Sequence, residues 1–163
     1  MKEDRKLREH LLEVLRGGGA HLGFDEILAG WPAKLRGVKP AGAEHTAWQL
    51  LEHLRLAQRD ILEFSRNPKH VSLEFPSGYW PKTAVPPKAD SWQKSVAAFR
   101  ADLHAMQKLV MDRKANLFAR VHHPEADAKH TLAREALLLA DHNAYHLGQL
   151  LLLRRLLGNW KNS

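Results

Sequence analysis

Residues 140–153 read ADHNAYHLGQLLLL, an apolar run that carries two imidazoles, His142 and His146, four positions apart. On a helix that spacing puts both rings on one side, about 40° apart around the axis and one turn along it. Leu139, Asn143, Leu150, Leu153 and Leu157 share that side, so the rings point at or near the core. Each neutral imidazole brings a donor and an acceptor into a region of leucines. Burying such a group unpaired costs about 1–3 kcal/mol. Two core histidines satisfied by hydrogen bonds are one solution; a shared cation, taking one nitrogen from each ring, is another. A third ligand would then come from another helix. His53, within WQLLEHLRLAQRDILEF, falls at the edge of a stripe of Leu50, Leu54, Ala57, Ile61 and Phe64. Facing helices about 8–10 Å apart let such imidazoles meet at one ion. His45 competes for the role, but near the start of its helix it would reach the bundle's end instead of its middle.

The chain has 11 histidines, so some must be uninformative. His10, His70, His104, His122, His123 and His130 lie on charged faces or in polar loops, where solvation or a local hydrogen bond is expected. His122 and His123 look like a ligand pair, but adjacent side chains point apart. Glu135 lies seven residues before His142 and Asp141 adjoins it. Either could orient a ligand histidine from behind, or simply pair with Arg134 or Lys129. Asn143, Tyr145 and Gln149 could line a site, with no role assigned. There is no HExxH motif and hence no built-in general base of the zincin kind.

These residues need a scaffold, and the composition points to helices. Leu, Ala, Arg, Lys, Glu and Gln dominate the longer segments, and they are the residues that cost least in a helix. The 163 residues suffice for one domain, 1–163, with a single core. Four segments have helical periodicity: about Glu3 to Arg16, Glu44 to Arg66, Asp90 to Asp112 and Thr131 to Leu157. Gly17-Gly18-Gly19 stops the first and Asn67-Pro68 the second. Asp90-Ser91 is expected to cap the third, whereas the start of the fourth is loose because Thr131-Leu132-Ala133-Arg134 lacks the Glu of a capping box. The long connections 17–43 and 68–89 are rich in Gly and Pro. The first holds a short helix near Phe24 to Ala29, and the aromatics of the second are expected to pack down over one end. The pattern predicts an all-α four-helix bundle.

Composition also excludes classes of function. With no cysteine there is no disulfide, no thiolate ligand and no protein thiol nucleophile, which fits a reducing compartment. The charged start MKEDRKLREHLLEVL has no apolar signal core, and no run approaches about 18 apolar residues. A cytoplasmic protein with no membrane span is the expectation. The net charge of +7 raises the question of nucleic acid, but Lys2, Arg5, Lys6 and Arg8 alternate with Glu3, Asp4 and Glu9. No basic stripe interleaved with aromatics appears, so no nucleic-acid partner is expected.

HTAWQLLEHLRLAQRDILEFSRNP and DHNAYHLGQLLLLRR resemble the two ligand-bearing segments of the DinB/YfiT-like family of bacterial four-helix-bundle metalloproteins. The Gly-Gly-Gly-Ala-His stretch at 17–21, GYWP at 78–81 and the general spacing are similar as well, so the resemblance spans nearly the whole chain. It implies up-down-down-up connectivity, with 68–89 as the long crossover between the second and third helices. It also implies a three-histidine site, His53, His142 and His146, for one divalent ion, usually zinc or nickel, with open positions. Such proteins are often homodimers. The family includes S-transferases that use a low-molecular-weight thiol (bacillithiol, mycothiol or glutathione) and thiol-dependent isomerases acting on small molecules. Arg154 and Arg155 could meet the carboxylates of such a thiol, or only complement a helix C-terminus. The expected activity is metal activation of a cosubstrate thiol. The alternatives are hydrolysis by metal-bound water and a non-catalytic, stress-associated metal-binding role.

Overall fold

The structure, a computed structural model, describes residues 2–160; Met1 and 161–163, the ends of the expected 1–163 domain, lie outside the described residues. Helices form at α1 (Lys2–Arg16), α2 (Phe24–Leu28), α3 (Ala47–Arg66), α4 (Ser91–Met111) and α5 (Leu132–Leu156), with 3-10 turns at Ala33–Leu35 and Ser77–Tyr79. There is no strand among the described residues, only an isolated bridge between Arg120 and Thr131. α3 packs against both α4 and α5, and α1 packs against the same two helices.

The helix ends follow local chemistry. α1 buries Leu11 and Leu15, one turn apart, and stops where Gly17 adopts φ +66°, a conformation that favours glycine. α3 starts three residues later than the periodicity implies. Thr46 Oγ1 accepts the Gln49 N–H at 3.2 Å and Gln49 Oε1 accepts the Thr46 N–H at 2.9 Å, a reciprocal box that sets the first turn. His45 therefore precedes the helix. α4 does start at Ser91, but Asp90 makes no side-chain cap; its carboxylate pairs with Lys94 at 2.6 Å. Thr131 caps α5 by accepting the Arg134 N–H at 3.3 Å, so this start is defined without an acidic partner.

Two apolar clusters make up the interior. One gathers Phe24, Ile27, Trp31, Trp48, Leu51, Leu54, Trp92, Phe99, Leu147 and Leu150, among others. The second includes Leu11, Leu15, Leu62, Met106, Val110, Leu132 and Leu139. α3 and α5 each cross between them through a polar residue. Along α3 the order is Leu54, Gln58, Leu62; along α5 it is Leu147, Asn143, Leu139. Gln58, fully buried, donates to the Phe99 carbonyl at 2.6 Å and accepts from Asn143 Nδ2 at 3.0 Å. The pair satisfies both ends of the Gln58 amide where unpaired polar groups are costly, while Asn143 donates through Nδ2 and its Oδ1 is buried without a partner. Of the expected stripe on α3, Leu50, Leu54 and Ala57 are buried, whereas Ile61 and Phe64 are half-buried. The 68–89 connection packs down through Trp80, but Phe75 is left 85% exposed.

Candidate metal centre

His53 on α3 and His142 and His146 on α5 converge. Their side-chain nitrogens lie within 4.8 Å of one another, a grouping that could hold a metal ion. His53 Nε2 lies 3.0 Å from His146 Nε2 and 3.1 Å from His142 Nε2. His53 and His146 are buried and His142 is half-buried.

The far side of each ring decides what the near side can do. His53 Nδ1 lies 2.9 Å from the Tyr79 backbone oxygen. A carbonyl only accepts, so Nδ1 carries the proton and Nε2 a lone pair. His146 Nδ1 donates to Gln149 Oε1 at 2.8 Å, which leaves its Nε2 a lone pair as well. Burial holds all three rings below the ordinary histidine value of 6.5. His142 falls to about 4, through burial first and then the proximity of His146 and His53. The rings are therefore neutral at pH 7. Whatever tautomer His142 adopts, the 3.0 Å contact between His53 and His146 brings two acceptors together with no proton to share.

That donor set fits a divalent cation. Nitrogen ligands about 2.0–2.1 Å from a tetrahedral zinc sit roughly 3.3 Å from one another, close to the 3.0 and 3.1 Å separations here. Among the described residues no further histidine or carboxylate joins the group. Hydrogen bonds to the outer nitrogens of His53 and His146 are of the kind that orients metal-binding imidazoles.

Aromatic rings back the site. Trp80 stacks on His53 with centroids 4.0 Å apart and planes 3° from parallel, and His45 stacks on the other face of the indole at 3.9 Å. His45 is therefore the outer layer of a stack and does not join the three nitrogens. Tyr145, 65% exposed, meets His146 edge-on at 4.9 Å. A cavity of ≈ 270 Å³ is lined by Glu44, His45, Leu50, Gln149 and Leu152, among others, and so shares Gln149 with the site.

Of the two readings of Glu135, pairing with Arg134 holds, and other sequence expectations are corrected. Neither Glu135 nor Asp141 orients a site histidine: Glu135 pairs with Arg134 at 2.9 and 3.1 Å, and His142 Nδ1 is buried without a partner. Glu135 is buried instead of lying on the surface. The groups that do orient histidines are the Tyr79 carbonyl, which no side-chain pattern advertises, and Gln149, one turn after His146. Arg154 is buried, donates to the Ile27 carbonyl at 2.7 Å and lies over Trp31 and Trp160, so it is committed to packing. His123 is 3% exposed, not a solvated loop residue: its Nε2 donates to the His70 carbonyl at 2.8 Å and its Nδ1 accepts the Glu125 N–H at 3.2 Å. No helix is long and apolar enough to cross a membrane among the described residues.

A family model described as the DinB superfamily matches residues 23–150, more than half of the chain and a span that includes all three histidines. No curated protein matches the chain, and no solved structure does.

Proposed function

The chain belongs to the DinB superfamily, and from that premise we propose that His53, His142 and His146 bind one divalent ion, zinc or nickel, in a metal-dependent enzyme. The observation that carries this reading is the 3.0 Å approach of two imidazole nitrogens that both present lone pairs. A cation resolves that contact, and three protein ligands leave a position open for exchange. When bound there, such an ion supplies acidity to a coordinated thiol or water.

The chain itself has no thiol, so a sulfur nucleophile has to arrive with a cosubstrate. We assign the activity to S-transfer from a low-molecular-weight thiol of the bacillithiol, mycothiol or glutathione type to a small electrophile. The protein's part is positional. The Tyr79 carbonyl and Gln149 hold two ligand rings with their lone pairs inward, and the Trp80 face shields His53 from water. The cavity beside Gln149, walled by Leu50 and Leu152, is a candidate seat for the apolar part of a substrate.

The same reading makes residues 1–163 one domain, a four-helix bundle with up-down-down-up connectivity. Support comes from the order of cross-helix pairs. Glu52 meets Ser95, Gln58 meets Phe99 and Arg59 meets Asp102, so α3 and α4 run together. His53 meets His146 and Gln58 meets Asn143, so α3 and α5 run oppositely. A homodimer and a cytoplasmic location complete the proposal. The first is supported by exposed Leu138, Tyr145, Leu152 and Leu156 on α5, and the second by the cysteine-free composition.

Metal analysis of the purified chain is the first test. Close to one divalent ion per chain is expected, lost in His142→Ala and kept in His122→Ala; equal behaviour of the two variants overturns the site. Assays of the metal-loaded protein with each thiol and a model electrophile follow. Thiol-dependent turnover supports the transferase. Turnover of an ester without thiol makes it a hydrolase, and no turnover with metal bound leaves a non-catalytic metal-binding protein.

A further inference from the structure

We propose that Asp60 is a positioning residue for the metal centre, acting on His53 through the 68–89 connection. Asp60 lies on α3 seven residues beyond His53, and its side chain is 12% exposed. Three groups from the connection gather on its carboxylate. His70 Nε2 lies 2.8 Å from Oδ1, the Tyr79 hydroxyl donates to Oδ2 at 2.8 Å, and Ser72 Oγ donates to Oδ2 at 3.3 Å. His123 adds a second pin from the α4–α5 connection by donating to the His70 carbonyl.

These bonds define the path of the chain at Tyr79 and Trp80. Tyr79 is held at both ends: its hydroxyl on Asp60, and its carbonyl, at 2.9 Å, on His53 Nδ1. Trp80 follows directly and lies flat on the His53 ring. A histidine ring is placed by the Cα–Cβ and Cβ–Cγ torsions, and these two contacts together restrain its orientation about the second. The hydrogen bond to Nδ1 also leaves the lone pair on Nε2, where the site needs it. Asp60 has no contact with the three converging nitrogens, yet its carboxylate anchors the segment that aims one of them. Partners of this kind commonly change metal affinity about 10–100-fold when removed.

The inference rests on the metal-site reading above, and the experiment separates the two. Co(II) affinity and the visible absorption of the cobalt-loaded full chain are measured for wild type, Asp60→Ala, Tyr79→Phe, Arg8→Met and His53→Ala. Tyr79→Phe keeps the backbone carbonyl and loses only the hydroxyl. Arg8→Met removes a buried guanidinium that binds the Val110, Asp112 and Ala115 carbonyls, so it lowers stability without touching residues 68–89. The expected result is affinity weakened about 10-fold or more in Asp60→Ala and Tyr79→Phe, with shifted cobalt bands, while Arg8→Met keeps the wild-type affinity and spectrum. Wild-type affinity and spectrum in Asp60→Ala and Tyr79→Phe, with His53→Ala losing the metal, overturn the role of Asp60 alone. Equal weakening in Arg8→Met also overturns it, because general loss of stability then accounts for the effect. Cobalt binding by His53→Ala as tight as wild type overturns the metal site itself.

Discussion

A backbone carbonyl cannot donate, so the contact from Tyr79 assigns the proton on His53 and with it the direction of a lone pair. The same logic applies at His123, where each nitrogen has one complementary backbone partner and the ring packs tilted against Phe64, centroids 4.3 Å apart. Single residues also set the response to acid. At Glu63 burial pushes the carboxyl up, but hydrogen bonds and charge from Arg66, Arg59 and Asn67 outweigh it, and the net shift is below 4.5. Arg66 Nη2 lies 2.6 Å and Arg59 Nη1 3.2 Å from its Oε1. A depressed folded-state value means that the unfolded chain binds the proton more readily. The stabilisation is therefore complete above pH 4.5 and is lost as pH falls through the folded value. Glu63→Gln should cost roughly 1 kcal/mol at pH 7, and the difference from wild type should close in acid. Urea unfolding at neutral pH and near pH 3 tests this; a gap of the same size at both rejects the assignment.

At the scale of elements, caps do more than start helices. The Thr46 hydroxyl accepts from Gln49 to begin α3 and also donates to the Ala84 carbonyl at 2.7 Å. It therefore ties the entry of the helix that carries His53 to the far end of the connection that carries Tyr79. The Thr131 hydroxyl makes only the capping bond on α5, and the Arg134 side chain at the fourth position returns no bond to it. Thr46→Ala should thus cost about 2 kcal/mol and Thr131→Ala about 1 kcal/mol. Thermal or urea unfolding of the two variants measures the difference; equal losses would mean that the Ala84 bond contributes nothing net.

On the scale of the whole molecule, α5 is apolar nearly all round, which a helix with only one buried face does not require. Its inner side supplies Leu139, Leu147, Leu150 and Leu153 to the two clusters. Its outer side exposes Leu138, Tyr145 and Leu152 at seven-residue intervals, with Leu156 a turn further. Between Leu137 and Leu153 the sequence has a single charge, Asp141. Asp141, one turn from both Leu138 and Tyr145, is the one charge on this part of the stripe, so most of the stripe can meet its own copy without like-charge repulsion, as the proposed symmetric dimer requires. Leu152→Glu should convert a dimer to monomer by sedimentation, because it places two carboxylates near one another in a closing interface. A wild-type chain that sediments as a monomer ends the proposal.

The four long helices and the shared inward side of His142 and His146 were legible in the sequence, because a 3.6-residue period is a local property and leucines mark the buried side; His53 fell at the edge of its stripe. Periodicity put the start of α3 at Glu44, and the reciprocal Thr46–Gln49 bonds that set it at Ala47 came from the structure. Other features depended on the path of the connections. Only the folded chain brings the Tyr79 carbonyl to His53, gathers His70, Ser72 and Tyr79 on Asp60, and buries His123 and Arg154. These contacts join residues far apart in sequence through directional hydrogen bonds, and a backbone oxygen has no residue type to announce it. Sequence thus put His142 and His146 on one inward side and His53 at the edge of another. Tertiary structure decided which of their nitrogens hold protons, and so which lone pairs meet.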